Sequence, residues 1–540
     1  MKAAITILFT FFSIQLFGQT GPAGVGNNDG TSALKLWLDA DKNVYADTLI
    51  KRKANDKERI LAWKDLSGSK NDVFARTDSS RPTLVKHISF LNDCNAVRFT
   101  RNAGSNNKRN YMESKSFNFT NDITIYAVFY SLSKGGGNNF SPFKSNAIIP
   151  GNDTLWYMGA GIVDADVNGT RNDISMTLTD TSLAAGGGDT ITKTEYTVKT
   201  PVKLNKANIG CLKKEMSSGK LSISVSTEDP AEFITGTQPI NNSAKYTIGS
   251  ISNIVYGKDV NFFDGLIASV MIFNKKLSIA ETIILENYLA AKYNIPLAKN
   301  DIYKADDEAM GNYDFNLSGI GMGADGEGQK KAIGEGIIEI SNPSDLGKEE
   351  FLLWASNNQS LSFQTSDFPE GVKQRIARTW RVSKKGETGK VDLVVNTQGF
   401  AGFDNQDLVL LIDTDNNGLF ENEQLRSGMI TQSKYLGNGK YLFPQVNLNN
   451  DNRFTFGILK STCQNDCEAV FSPNGDGISD TYFIENVGKT LILDKFGQII
   501  KDINAPGYWD GTKNNGSLAK EGLYFIIGNE TVQKTVSLLK

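Results

Sequence analysis

FFDGLIASVMIFNKKLSIAETIILENYLAAKYNI, residues 262–295, sets a long apolar strand directly before a helix. Residues 265–274 (GLIASVMIFN) read as a strand with one face on a core. Ser278, Ile279, Ala280 and Glu281 then form a capping box, in which hydroxyl and carboxylate satisfy each other's orphan N–H groups. Ile279, Ile283, Leu285, Tyr288, Leu289 and Tyr293 supply an apolar stripe, and Asn294 with Pro296 stops it. The spacing predicts one amphipathic helix that packs on a sheet and closes a domain near residue 298.

Outward from this pair, strand-like pieces recur with turn punctuation. They are LKLWLDA (34–40), AVRFT (96–100), ITIYAVFYSL (123–132), DISMTL (173–178) and KLSISVS (220–226). Polar, Gly-rich stretches separate them, notably 134–139 and 185–189, which read as loops. Long antiparallel strands with wide loops predict a double-sheet jelly roll over residues 31–298. The stretches LWLDADKN (36–43), WKDLSGSKND (63–72) and the opening 34-residue motif resemble the laminin-G-like, concanavalin-type jelly rolls of secreted bacterial surface proteins.

Residues 299–460 form a second strand-rich block: GIIEISN (336–342), EFLLWASN (350–357), RTWRVSK (378–384), VDLVVN (391–396), DLVLLID (407–413) and NRFTFGIL (452–459). GIGMGADGEGQKKA, LLWASNN and RIARTWRV make it similar to an uncharacterised β domain that often follows such jelly rolls. After a hinge at 461–468, residues 469–540 carry FSPNGDGISDTYFIENV, LILDKFGQII, YWDGTKNNGSLAKEGLYFIIG and VSLLK. That series resembles the gliding-motility-associated C-terminal domain. The resemblance implies a small Ig-like sandwich that acts as a type B signal for type IX secretion, with the secretion machinery as partner. The fold class is therefore mainly β: a concanavalin-type jelly roll, a second β-sandwich and a small Ig-like sandwich.

Size and composition agree. A chain of 540 residues exceeds one core, and 51 Gly with 10% aromatics favours strands and turns. A net charge of −3 gives no basic footprint for nucleic acid or an anionic membrane. Met1 and Lys2 precede an apolar run at 3–17 that is too short to span a bilayer. Residues 1–18 thus read as a signal peptide and 19–30 (QTGPAGVGNNDG) as a flexible linker. No later stretch has transmembrane length, so the expectation is export across the outer membrane to the cell surface or medium, without direct membrane insertion. In that oxidising setting a disulfide between Cys463 and Cys467 is expected, and one between Cys94 and Cys211 is a second candidate.

Chemistry-bearing motifs are few. Asp413, Asp415, Asn417, the Leu419 backbone and Glu421 follow the first part of a calcium loop, with Gly418 for the turn. The twelfth position holds Gln424, and Glu423 lies one residue off. An Asx-rich β-turn uses the same residues, so both readings stand. Asn474, Asp476 and Asp480 offer a second calcium loop on the same terms. Trp63, Trp156 and Tyr157 border loops and are candidate ligand contacts through aromatic stacking, whereas Trp37 and Trp354 read as core.

His87 is the only histidine, which disfavours histidine-assisted nucleophiles and a zinc site. Residues 31–298 lack the E-x-D-x-x-E run of jelly-roll glucanases, GxxxxGK(S/T) is absent, and the Gly-rich GIGMGADGEG at 319–328 reads as a loop rather than the strand–helix turn that cradles a phosphate. A non-catalytic surface binding protein for a glycan or protein is the leading expectation. Two rivals are a glycan-degrading enzyme whose carboxylates meet only through the fold, and a structural surface component without a discrete ligand.

Overall fold

Residues 265–274 form a strand, Gly265–Phe273, that is buried at every position. The same holds for Phe351–Ser356, and Ile123–Ser131 is buried at all but one position. Each lies in a sheet covered on both faces. The computed structural model describes residues 20–47, 51–102, 108–116, 122–135, 159–165, 174–189, 194–237, 245–251, 262–403, 407–423, 428–460, 469–475, 479–528 and 531–539. The signal peptide and the hinge lie outside them.

Two units emerge, Met1–Ile458 and Leu459–Lys540. In the first, an eight-stranded and a nine-stranded antiparallel sheet enclose one core that includes Leu36, Trp63, Phe99, Ile125, Phe129, Met176 and Ile267. Alternation assigns the faces. Ile125, Ala127 and Phe129 enter this core, while Tyr126 and Val128 enter a second one. The second core is built around the helix Ile279–Tyr293, and across it lie Leu317, Phe351, Leu353 and Ala355 of another sheet. That sheet's Leu352 and Trp354 face a third core, shared with a five-stranded sheet through Leu393, Phe443 and Val446. The helix is thus a layer common to two sandwiches.

The helix begins with the expected capping box and ends with Asn294 in the left-handed region. It is not amphipathic in the expected one-sided sense. Ile284, Ala290 and Ala291, off the stripe, are as buried as Leu285 and Leu289. A helix apolar on both sides is one with partners on both sides. Its polar residues are correspondingly tied. Asn287 donates to the carbonyls of Ile283 and Asn300 (both 2.8 Å) and accepts from the N–H groups of Ile302 and Tyr303 (both 2.9 Å). Lys292 Nζ lies 2.6 Å from Asp39 Oδ2 and 3.1 Å from Asp41 Oδ2.

Three expectations are corrected. The expected linker 19–30 is, over its described residues 20–30, no free tether: Pro22, Ala23, Gly24 and Val25 are buried, packed on the helix and on Ala332. Small residues permit the approach, since a Cβ on Gly24 (φ +79) would lie 2.5 Å from that of Ala332. Residues 185–189 belong to the strand Ser182–Asp189, which pairs with Thr194–Pro201 along its whole length and with Ser175–Thr179 as far as Gly186, because glycine tolerates extended backbone where the ladder supplies hydrogen bonds. Cys94 and Cys211 are free thiols. Their strands are separated in the sheet by two others, roughly three spacings of 4.8 Å, which is beyond disulfide reach. Cys463 and Cys467 lie outside the described residues.

The second unit is one five-stranded sheet, ordered 469–471, 531–538, 522–528, 482–494, 499–509. Bulges interrupt the pairing of its two longest strands, and these increase local twist and bend. The sheet encloses Phe471, Ile492, Trp509, Tyr524 and Val536. Trp509 Nε1 donates to the Thr512 carbonyl at 2.8 Å. Among the described residues no helix is long and apolar enough to cross a membrane.

Candidate functional site

The first sandwich carries a cleft of about 840 Å³ at the end where the helix leaves it. One wall is aromatic. Phe90, in the 3-10 turn Ser89–Leu91, is 48% exposed, and its ring lies 4.5 Å from that of Tyr130 at 33°. Tyr130 is held near the end of the long strand Ile123–Ser131, which pairs with strands on both sides.

A second wall is the loop at 202–206, between the strands Thr194–Pro201 and Ala207–Lys214. Asn208, 2% exposed, fixes it by donating to the carbonyls of Lys203 (3.0 Å) and Lys206 (2.8 Å). Asn205 N–H donates to the Ser131 carbonyl at 3.0 Å and ties the loop to the strand beside Tyr130. The remaining side is the turn 226–229 with the helix exit. Ala298 N–H donates to the Ser226 carbonyl (3.1 Å), and Lys299 Nζ pairs with Asp229 Oδ1 at 2.5 Å. Every wall is anchored by backbone or buried-amide hydrogen bonds, so the cleft is preformed.

A second constellation lies in the other sandwich. Asp413 ends the strand Leu408–Asp413, and the carboxylates of Asp413, Asp415 and Glu423 lie within 4.8 Å of one another. Asp413 and Glu423 are fully buried. Asp413 accepts from Asn417 N–H (3.1 Å) and Gly418 N–H (2.8 Å). Glu423 accepts from Thr414 N–H (3.1 Å) and Thr414 Oγ1 (2.7 Å). Burial pushes the Asp413 carboxyl above its ordinary range; Gly418 N–H opposes this, while Asp415 adds to it.

The structure sorts the candidates. Trp63 is fully buried, with Nε1 donating to the Asp39 carbonyl at 3.0 Å, so it is a core residue with no face to offer a ligand. Trp37 and Trp354 are core as expected. Trp156 and Tyr157 lie outside the described residues. In the 413–423 loop the third carboxylate is Glu423 rather than the exposed Glu421. The turn closed by Glu423 N–H on the Phe420 carbonyl carries that side chain back over Thr414. Asn417 instead braces the loop, donating to Asp415 Oδ2 (3.1 Å) and accepting from Leu419 N–H (2.7 Å).

In the second loop Asp480 Oδ1 accepts from Gly475 N–H at 2.7 Å and Asn474 is exposed, while Asp476 lies outside the described residues. Phe90 and Tyr130 had no motif to mark them. The available signal was a large aromatic at 90 inside a short polar turn.

Residues 465–537 match the model of the CHU_C Type IX secretion signal domain. The chain therefore ends in an export signal, and the protein is secreted or displayed at the cell surface. Residues 281–452 match a domain of unknown function, DUF8202, whose span begins inside the shared helix. Comparison with curated proteins gives no match.

Among solved structures, the CBM40 of the Ruminococcus gnavus IT-sialidase bound to α2,3-sialyllactose is 13% identical, covering 34% of this chain and 91% of that one (TM-score 0.24). Domain 4 of AbnA, a GH43 extracellular arabinanase from Geobacillus stearothermophilus in complex with arabinotriose, is 9% identical over 47% and 97% (TM-score 0.25). A botulinum neurotoxin type C structure is 12% identical over 80% and 99% (TM-score 0.31). At these scores the likenesses bear on neither ligand nor mechanism.

Proposed function

We propose that this chain is a non-catalytic, laminin-G-like binding protein of the cell surface or medium. Its first sandwich holds a glycan or protein ligand, its second serves as spacer, and its last domain engages the type IX secretion machinery. The observation that carries the ligand half is the preformed 840 Å³ cleft, whose size lies within the range of small-ligand sites. The non-catalytic half has support in His87, an exposed residue whose imidazole is paired with the equally exposed Asp93 at 3.0 Å. A glycan array screened with the full mature chain tests the reading. Selective retention supports it, and release of shortened glycan products would establish the degrading enzyme instead.

The export half has its own test. Deletion of residues 469–540 is expected to retain the protein in the cell envelope, read as loss of the secreted fraction by immunoblot, while residues 19–460 still fold. Normal secretion of the truncated chain would remove the assignment.

Calcium at Asp413, Asp415 and Glu423 is the second element. The donor set is all oxygen, as a hard cation requires, and it joins the Leu408–Asp413 strand to the turn that follows. A bound ion would neutralise converging carboxylates and stabilise the second sandwich by mass action. Chelator is expected to lower the melting temperature by a few degrees in the native chain and not in Glu423→Gln. A melt unaffected by calcium or chelator would exclude the ion.

A further inference from the structure

Resting on the reading that the first sandwich carries the ligand site, we infer that the cleft lined by Phe90 and the 202–206 loop is built for a neutral oligosaccharide, stacked on Phe90 and hydrogen-bonded by Lys203, Asn205, Lys206 and Glu228.

The chemistry of the walls selects this class. The side chains of Lys203, Asn205, Lys206 and Glu228 line the cleft and make no hydrogen bond or ion pair among the described residues. Together they offer ammonium and amide donors beside carboxylate and amide acceptors. Sugar hydroxyls donate and accept at once, and use such a mixed set fully. The Phe90 ring is exposed at the mouth and backed by Tyr130, so its orientation is held before a ligand arrives. A flat apolar face beside scattered hydroxyl partners matches the two faces of a pyranose or furanose ring.

Charge argues against an acidic glycan. Of the lining residues, Lys203 and Lys206 are matched by Glu228 and Asp229, and Asp229 also pairs with Lys299 outside the lining. An anion site of high affinity uses converging, pre-oriented guanidinium or N–H groups. Here the cations are exposed lysines, and Glu228 shares their cleft.

The experiment titrates the full mature protein by calorimetry with neutral hexose and pentose oligosaccharides, and with uronic-acid oligosaccharides alongside, at low and high salt. Binding of a neutral series with little salt dependence is expected. Phe90→Ala should weaken it about tenfold, and Glu228→Gln about threefold or more. Both residues are exposed, so both variants should melt like the parent chain.

A preference for uronic acids that fades with salt overturns the neutral class. Glycan binding unchanged in both variants overturns the cleft and leaves the glycan-binding reading intact. Silence towards every glycan by a folded protein overturns both the inference and the glycan arm of that reading.

Discussion

Replacement of Lys292 by Met is expected to cost about 3–5 kcal/mol of stability. Asp39 is 1% exposed and its carboxylate meets Lys292 Nζ at 2.6 Å. Burial opposes ionisation of Asp39, but Lys292, and then Lys42, outweigh it and hold the carboxyl below its ordinary value. Met preserves the apolar stem of Lys292 and removes the ammonium, leaving a charge in the interior with its main partner gone. The sign with pH follows. In the native chain the pair contributes fully above the ordinary carboxylate range, and the contribution is lost as pH falls through the depressed folded value.

The Lys292→Met deficit should therefore be largest at neutral pH and shrink in acid, and Asp39→Asn in the same chain should recover part of it. Tryptophan fluorescence during urea unfolding reads this out, because Trp509 is the only one of six tryptophans in the second unit. A loss below about 1 kcal/mol would mean that the pair is solvated like a surface salt bridge.

Glu286→Gln is expected to act in the opposite direction. Glu286 faces the sheet from the shared helix, where it accepts from Tyr126 Oη at 3.2 Å. Burial pushes its carboxyl up to about 7, with Lys213 and then Tyr126 opposing the shift. A raised carboxyl binds its proton more tightly in the folded than in the unfolded chain. Stability therefore falls as pH rises from about 4.5 and levels off above about 7. An interval of about 2.5 units corresponds to roughly 3 kcal/mol.

Gln keeps the carbonyl oxygen that Tyr126 uses and carries no charge. The variant should match the native chain near pH 4 and exceed it by up to roughly 3 kcal/mol at pH 8. Equal stability at both pH values would show that Glu286 titrates as a solvated carboxyl.

These two residues also mark where sequence reading stops. The helix was legible from Ser278, Glu281 and Asn294, since capping is chemistry between residues a turn apart. Strands such as Val391–Asn396 and Leu408–Asp413 were legible from local apolar runs bounded by polar turns. That the helix has sheets on both sides was not. Its two-sidedness lies in Ile284, Ala290 and Ala291, which a single stripe leaves out, and in strands such as Gly265–Phe273 that are buried on both faces.

The candidate sites divide the same way. The Asp413 loop was visible because its donors alternate along a few residues. The carboxylate that converges with Asp413 and Asp415 is that of Glu423 rather than Glu421, since the turn at Phe420–Glu423 sets where that side chain returns. Trp63 looked like a loop aromatic until Asp39, 24 residues away, supplied the buried acceptor for its indole.

By itself the sequence determined the β class, the single capped helix, the C-terminal export domain and the metal-like spacing of the Asp413 loop. All of these follow from chemistry within one turn, one strand or one contiguous motif. Tertiary structure alone decided the layering of two sandwiches on one helix, the docking of residues 21–25, the separation of Cys94 from Cys211 and the cleft beside Phe90. Each depends on which surfaces, remote in the chain, exclude water from one another, and apolar burial is non-directional. Local pattern says that a residue seeks cover, and only the assembled fold says which surface provides it.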